Sequence, residues 1–121
     1  MDGGRITVND QDGVGVVALV GEHDLSTAAD VGDALGGLRA AGLVVDLSQT
    51  TFLDSSILGV LLAAARDAEQ RQAPFAVVIA DDPASPPRRI FNLTGLISAL
   101  PVATDLDAAI AAGRNSSTPT G

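Results

Sequence analysis

Two stretches of acidic and hydroxyl residues, each at the end of an apolar segment, are the part of this sequence that could do chemistry. Gly21-Glu22-His23-Asp24 follows the apolar residues 14–20, and Asp54-Ser55-Ser56 precedes an apolar segment that begins at Ile57. Carboxylate and hydroxyl oxygens at such positions accept the unpaired amide hydrogens of a helix's first turn. The positive end of a helix also favours a phosphate group. Ser55 is therefore a candidate both for a helix cap and for phosphate chemistry.

The elements around Asp54 are a buried strand before it and a helix after it. Leu43-Val44-Val45 is an apolar run rich in β-branched residues, which is typical of a strand covered on both faces. The helix is predicted to run from Asp54 to about Gln72. Helical spacing places one apolar face of it toward the core, formed by Leu58, Leu61, Leu62 and Ala65.

The order of elements predicts an α/β fold. Residues 6–8 and 14–20 indicate an N-terminal hairpin, after which helices and strands alternate. We expect a single domain over residues 1–113, with a mostly parallel four- to five-stranded sheet and about four helices, and a disordered tail over residues 114–121. Side chains that follow parallel strands collect at one edge of the sheet, so Asp24 and Asp54 should lie close together.

Several local features of the chain carry narrower expectations. A helix is predicted from about Ala28 to Leu38, with Ser26 and Thr27 as its caps. The last helix is predicted from Asp105 to Ala112, ended by Gly113. His23 is the only histidine and is predicted to be a surface residue. A single histidine supports neither a Ser-His-Asp triad nor a multi-histidine metal site.

The composition narrows the class of partner. The net charge of −8, without a single lysine, argues against binding to a nucleic-acid backbone. The absence of cysteine excludes disulfides, thiolate nucleophiles and thiolate metal sites. We expect no cofactor and no metal. Without an apolar signal region or a run long enough to cross a membrane, the expected location is the cytoplasm.

Three segments resemble the signature of STAS-domain proteins, and specifically of the anti-sigma factor antagonists. They are Val45-Asp46-Leu47-Ser48, Phe52-Leu53-Asp54-Ser55-Ser56 and Leu58-Gly59-Val60-Leu61. Gly21-Glu22-His23-Asp24 is similar to the Gly-Glu-x-Asp stretch of that family. The resemblance implies phosphorylation of Ser55 by a partner kinase and no enzymatic activity of the chain itself.

The resemblance also implies a switch between partners. The unphosphorylated form would bind a nucleotide-binding anti-sigma factor that is also a serine kinase, and thereby release the sigma factor. Phosphorylation of Ser55 would end that binding, and a phosphatase would reset it. The residues expected to contact the partner are Glu22, Asp24, Asp54, Ser56, Ile57 and Val60.

Ile57 departs from the family pattern, which carries glycine after the serine pair. Ile57, Val60 and Ala64 fall beside the predicted core face, so they are expected to form an exposed apolar strip for a partner. An exposed isoleucine would also exclude partners shaped for a glycine at this place.

Three other functions compete with the switch. A STAS scaffold or sensor without phosphorylation is supported mainly by Ile57. A two-component receiver domain has a similar size, but it needs an adjacent acidic pair and a lysine, whereas this chain has Glu22 and Asp24 and no lysine. A hydrolase is least favoured, because no activated nucleophile can be assembled.

Overall fold

The sheet begins with a hairpin whose turn is fixed by two residues. The computed structural model describes residues 4–37 and 42–116. Strand β1 (Arg5–Gln11) pairs antiparallel with β2 (Val14–His23), and Gln11 faces Val14 across the two-residue turn. Asp12 and Gly13 both have positive φ, at 57° and 89°, as a turn that matches the twist of the strands requires. Its Asp-Gly sequence is the one this turn favours.

The remaining strands are parallel to β2, as the alternation of elements predicts. They are β3 (Gly42–Asp46), β4 (Thr50–Leu53), β5 (Phe75–Val78) and β6 (Val102–Ala103). The sheet order is β1-β2-β3-β5-β6, and β4 pairs with β2 beyond the end of β3. The α/β fold class with a mostly parallel sheet is therefore confirmed, while β4 is a strand that the sequence analysis does not predict.

Within the described residues, five helices cover the two faces of this sheet. They are α1 (Leu25–Gly36), α2 (Ser55–Gln70), α3 (Pro86–Thr94), the short α4 (Leu96–Ala99) and α5 (Leu106–Ser116). Helices α1 to α4 contribute to one core, and α5 covers the opposite face. Along β2, Val17 and Leu19 enter the first core, while Val14 and Val16 enter the second. Burial on both faces explains why the strand is apolar nearly throughout.

Two helix boundaries differ from the prediction. Helix α1 begins at Leu25, earlier than predicted, with Asp24 as its N-cap and Thr27 as the third helical residue, which completes a capping box. Helix α5 does not stop at Gly113 but continues to Ser116. A Cβ at position 113 would lie 3.3 Å from Val14 Cγ2, so this glycine allows the helix to pack closely on the sheet. Residues 117–121 of the predicted tail lie outside the described residues.

Candidate functional site

Two helix N-termini meet at the carboxyl edge of β2 and β4, each capped by an aspartate. Asp24 Oδ1 accepts the Ser26 amide hydrogen at 2.9 Å. Asp54 Oδ1 accepts the amide hydrogens of Ser56 and Ile57 at 3.0 and 3.3 Å. Each carboxylate thereby replaces acceptors that the first helical turn lacks.

Asp54 also joins the two helices. Its second oxygen, Oδ2, accepts the amide hydrogen of Leu25 at 3.2 Å, across 29 positions of sequence. One carboxylate therefore caps α2 and holds the first residue of α1. Asp24 and Asp54 lie side by side, as expected from the order of strands.

Ser55 is the first residue of α2 and is exposed. Its hydroxyl makes no hydrogen bond within the part of the chain that the structure describes. Ser56 is half-buried, and its amide is bound to Asp54. The Ser56 hydroxyl likewise makes no hydrogen bond among those residues, so the greater exposure of Ser55 is what makes its hydroxyl the more accessible of the two.

The amides near Ser55 are already engaged. Those of Ser56 and Ile57 donate to Asp54 Oδ1, and that of Leu58 donates to the Asp54 carbonyl at 3.2 Å. The amide of Leu25 donates to Asp54 Oδ2. A phosphate on Ser55 would compete with Asp54 for these donors, so this helix end is a poorer phosphate site than an uncapped one.

Asp24 is held in its ionised form by Ser26. The Ser26 hydroxyl donates to Asp24 Oδ1 at 2.5 Å, and together with the Ser26 amide it lowers the pKa of the carboxyl below its ordinary value of 3.8. A lowered pKa in the folded state stabilises the fold above pH 3.8, and this contribution is lost as the pH falls through the folded value. At neutral pH the site therefore carries the Asp24 charge.

His23 is buried beneath Asp24, so its prediction as a surface residue is wrong. Its Nε2 lies 3.2 Å from the Val20 carbonyl oxygen, and its Nδ1 lies 3.1 Å from Thr27 Oγ1. The same Thr27 oxygen accepts the Asp24 amide hydrogen at 3.2 Å. A Cβ on Gly4 would clash with the His23 ring and the Glu22 carbonyl, so glycine is needed where the chain crosses this ring. His23 therefore supports the Asp24 cap through Thr27, whose Oγ1 contacts both the His23 ring and the Asp24 amide.

The predicted exposed strip on α2 is wrong for Ile57. Its side chain is 0% exposed and belongs to the main core. Val60 is half-buried and faces α1, where a Cβ on Gly32 would lie 3.9 Å from Val60 Cγ1. Ile57 can therefore neither touch a partner nor exclude one directly. Val60 is available only at the groove between α1 and α2.

Two exposed apolar side chains at this edge escaped the sequence reasoning. Leu25 is 75% exposed, and Phe52 is 48% exposed. Phe52 lies opposite the exposed Glu22 in the pairing of β4 with β2. For Leu25, the signal in the sequence is an apolar residue directly after Asp24, the residue that caps α1. A search for helical periodicity does not detect a single residue of this kind.

The described residues show neither a metal site nor a membrane span. Within residues 4–37 and 42–116, no three acidic or histidine side chains are grouped so that they could hold a metal ion. Over the same ranges, no helix combines the length and apolar character needed to cross a bilayer.

Comparison with known proteins agrees with the fold. The family model described as "Mlab, STAS domain" matches residues 6–101. The anti-sigma-F factor antagonist RsfB of Mycobacterium tuberculosis is 39% identical over 94 residues, which is 75% of this chain and 74% of that protein. An anti-sigma factor antagonist from Mycobacterium paratuberculosis superposes with a TM-score of 0.80 at 37% identity, covering 92% of this chain and 94% of that one.

A structure with lower sequence identity has the same fold. A putative anti-sigma factor antagonist from Thermotoga maritima has a TM-score of 0.76 at 18% identity, over 90% of this chain and 94% of that one. The chain belongs to the STAS domain family, in the group of the anti-sigma factor antagonists.

Proposed function

We propose that this chain is a phosphorylation-controlled antagonist of an anti-sigma factor. In its unmodified form it binds an anti-sigma factor that is also a nucleotide-binding serine kinase, and the sigma factor is released. Phosphorylation of Ser55 ends the binding, and a phosphatase restores it. The role is regulatory, in the cytoplasm, and involves neither a cofactor nor direct contact with nucleic acid or membrane. The names of the mycobacterial relatives support the antagonist role.

One observation supports the switch: the exposed Ser55 hydroxyl makes no hydrogen bond among the described residues and belongs to the residue directly after the capping Asp54. Ser55 is exposed and follows Asp54 directly, and the Leu25 amide ties Asp54 to the start of α1 beside Asp24. A kinase can reach this hydroxyl without unfolding the chain. A phosphate placed on it would join a surface that is already negative.

The charge of the phosphate explains why binding would end. Phosphoserine carries about −1.5 to −2 charges near pH 7. The nearby amide donors are used by Asp54, so the phosphate would depend on water for most of its hydrogen bonds. Removing that water at an interface, without a new counter-ion, costs several kcal/mol. Each 1.4 kcal/mol is about tenfold in affinity, so we expect a loss of more than about a hundredfold.

The test uses the anti-sigma factors encoded in the source genome, each purified and incubated with the chain and ATP. Intact mass and peptide mapping should place one phosphate on Ser55. Ser55→Ala should remain unmodified and still bind, whereas Ser55→Asp should lose most of its affinity. Ser56→Ala is the matched control, and it should be phosphorylated like the wild type.

Two results would contradict the proposal. One is phosphate on Ser56, and the other is a Ser55→Asp variant that binds as tightly as the wild type. The scaffold function without phosphorylation would then take its place. Its main argument in the sequence was an exposed Ile57, and burial of that side chain removes the steric obstacle to a kinase.

A further inference from the structure

Four large apolar side chains are strongly exposed in the described part of the chain. They are Val8, Leu25, Phe52 and Leu93. Leu25 and Phe52 both lie at the edge that carries Ser55. The Leu25 backbone is bound to Asp54, and Phe52 is two residues before Asp54 on β4. An exposed apolar pair beside a proposed switch residue suggests an interface.

The helix start gives no reason for a leucine at position 25. The cap of α1 uses the side chains of Asp24 and Thr27 and only the backbone of Leu25. The first helical position favours proline or an acidic residue, and an apolar side chain there buries little. Leu25 is 75% exposed, so its side chain adds little to the fold.

Phe52 is similarly unexplained by the sheet. The chain has three phenylalanines, and Phe91 is fully buried while Phe52 is 48% exposed. Strand β4 needs a residue suited to an extended backbone at this position, which a threonine such as the neighbouring Thr51 would satisfy. The strand therefore does not require an aromatic ring at position 52.

Carboxylate side chains lie next to both Leu25 and Phe52. Glu22 lies opposite Phe52 in the strand pairing, and Asp24 and Asp54 adjoin Leu25. Within the described residues the one ion pair joins Arg71 and Asp67 near the other end of α2, so none of these three carboxylates forms an ion pair among those residues. A complementary surface would offer an apolar recess edged by arginine or lysine.

We propose that Leu25 and Phe52 are the apolar anchors by which this chain docks on its anti-sigma factor. The inference rests on the proposed function and names the surface that does the binding. The two side chains enter an apolar recess of the partner, and basic residues at its edge meet Glu22, Asp24 and Asp54. Ser55 directly follows Asp54, which binds the Leu25 amide and lies two residues after Phe52, so a phosphate on Ser55 would hinder the partner from closing over both anchors.

The test measures binding of purified variants to the purified anti-sigma factors of the source genome. Leu25→Gln keeps the length and helix propensity of the side chain, and Phe52→Thr keeps the strand propensity. Each should lower the affinity by about tenfold or more, mainly through faster dissociation. Val8→Thr is the matched control, because it makes an exposed strand residue polar at the middle of β1, and it should bind within about twofold of the wild type.

Three outcomes separate this inference from the proposed function. Anchor variants that bind like the wild type, while Ser55→Asp does not bind, would overturn the anchors and leave the switch intact. A wild type that binds none of the anti-sigma factors would overturn both. Self-association of the wild type that Leu25→Gln abolishes would assign the surface to a second copy of this chain, and the inference would be wrong. Thermal midpoints equal to that of the wild type would confirm that the variants are folded.

Discussion

Asp54 shows how much one side chain contributes to the site. One of its oxygens caps α2, and the other holds the first amide of α1. Ser55 follows directly, so its hydroxyl is positioned by a residue that already uses the local amide donors. Asp54 therefore positions the serine that would carry the proposed phosphate. It also occupies the amide hydrogens that would otherwise bind that phosphate. The proposed switch would then depend on repulsion and hydration at the interface.

Ile57 is a core residue, and its replacement tests this directly. Ile57→Ala should lower the free energy of unfolding by about 2–5 kcal/mol, because it leaves a cavity in a fully buried position. Val60→Ala, on the same helix but only half-buried, should cost roughly 1 kcal/mol. Urea denaturation followed by circular dichroism measures both. An Ile57→Ala variant as stable as the wild type but defective in binding would restore the exposed strip that the sequence suggested.

At the scale of elements, β4 is what brings the site together. Gly21 has a φ of 87°, and the pairing of β2 with β4 shifts register between Gly21 and Glu22. This irregularity lets the end of β2 leave β3 and pair with β4. The pairing sets Asp24 beside Asp54 at the starts of α1 and α2.

The sequence predicts the fold, the neighbouring aspartates and the burial of Leu58 and Leu61, but not the burial of Ile57 and His23. The parallel order follows from alternating apolar strands and helices, and Asp54 is correctly predicted to start α2. The burial of Ile57 could not be predicted, because residues 57–65 are apolar apart from Gly59, so helical spacing does not single out one face. Strand β4 is four residues long with two exposed, and it forms through a distant pairing with β2.

Thr50 tests the contribution of β4 to this arrangement. Its hydroxyl is buried and donates to the Leu19 carbonyl at 2.5 Å, next to the place where the register shifts. Thr50→Val removes the donor at nearly constant shape and should cost about 1–3 kcal/mol of stability. Thr51→Val, an identical change at the adjacent exposed position, should stay within about 0.5 kcal/mol. Equal effects of the two changes in urea denaturation would contradict the role assigned to Thr50.

At the scale of the whole molecule, the helices on the two faces of the sheet have different roles. Helix α5 covers one face with a small apolar core and lies beyond the residues matched by the family model. Helices α1 and α2 cover the other and present their N-termini at the edge that carries Ser55. The net charge of −8 comes from 15 acidic and 7 basic residues, so the molecule as a whole attracts a basic surface.

This charge predicts how association with an anti-sigma factor should respond to salt. Raising NaCl from about 0.05 M to about 0.5 M shortens the screening length, so the association rate constant should fall by about tenfold or more. Dissociation should change much less, because we propose that it depends on Leu25 and Phe52, which the interface would cover. Stopped-flow or surface plasmon resonance measures both constants.

Glu22→Gln should lower the association rate constant at low salt, whereas Glu69→Gln, the same change near the far end of α2, should leave it nearly unaltered. If both variants slow association equally, the attraction belongs to the net charge alone and the acidic edge around Asp24 has no particular part in steering the partner.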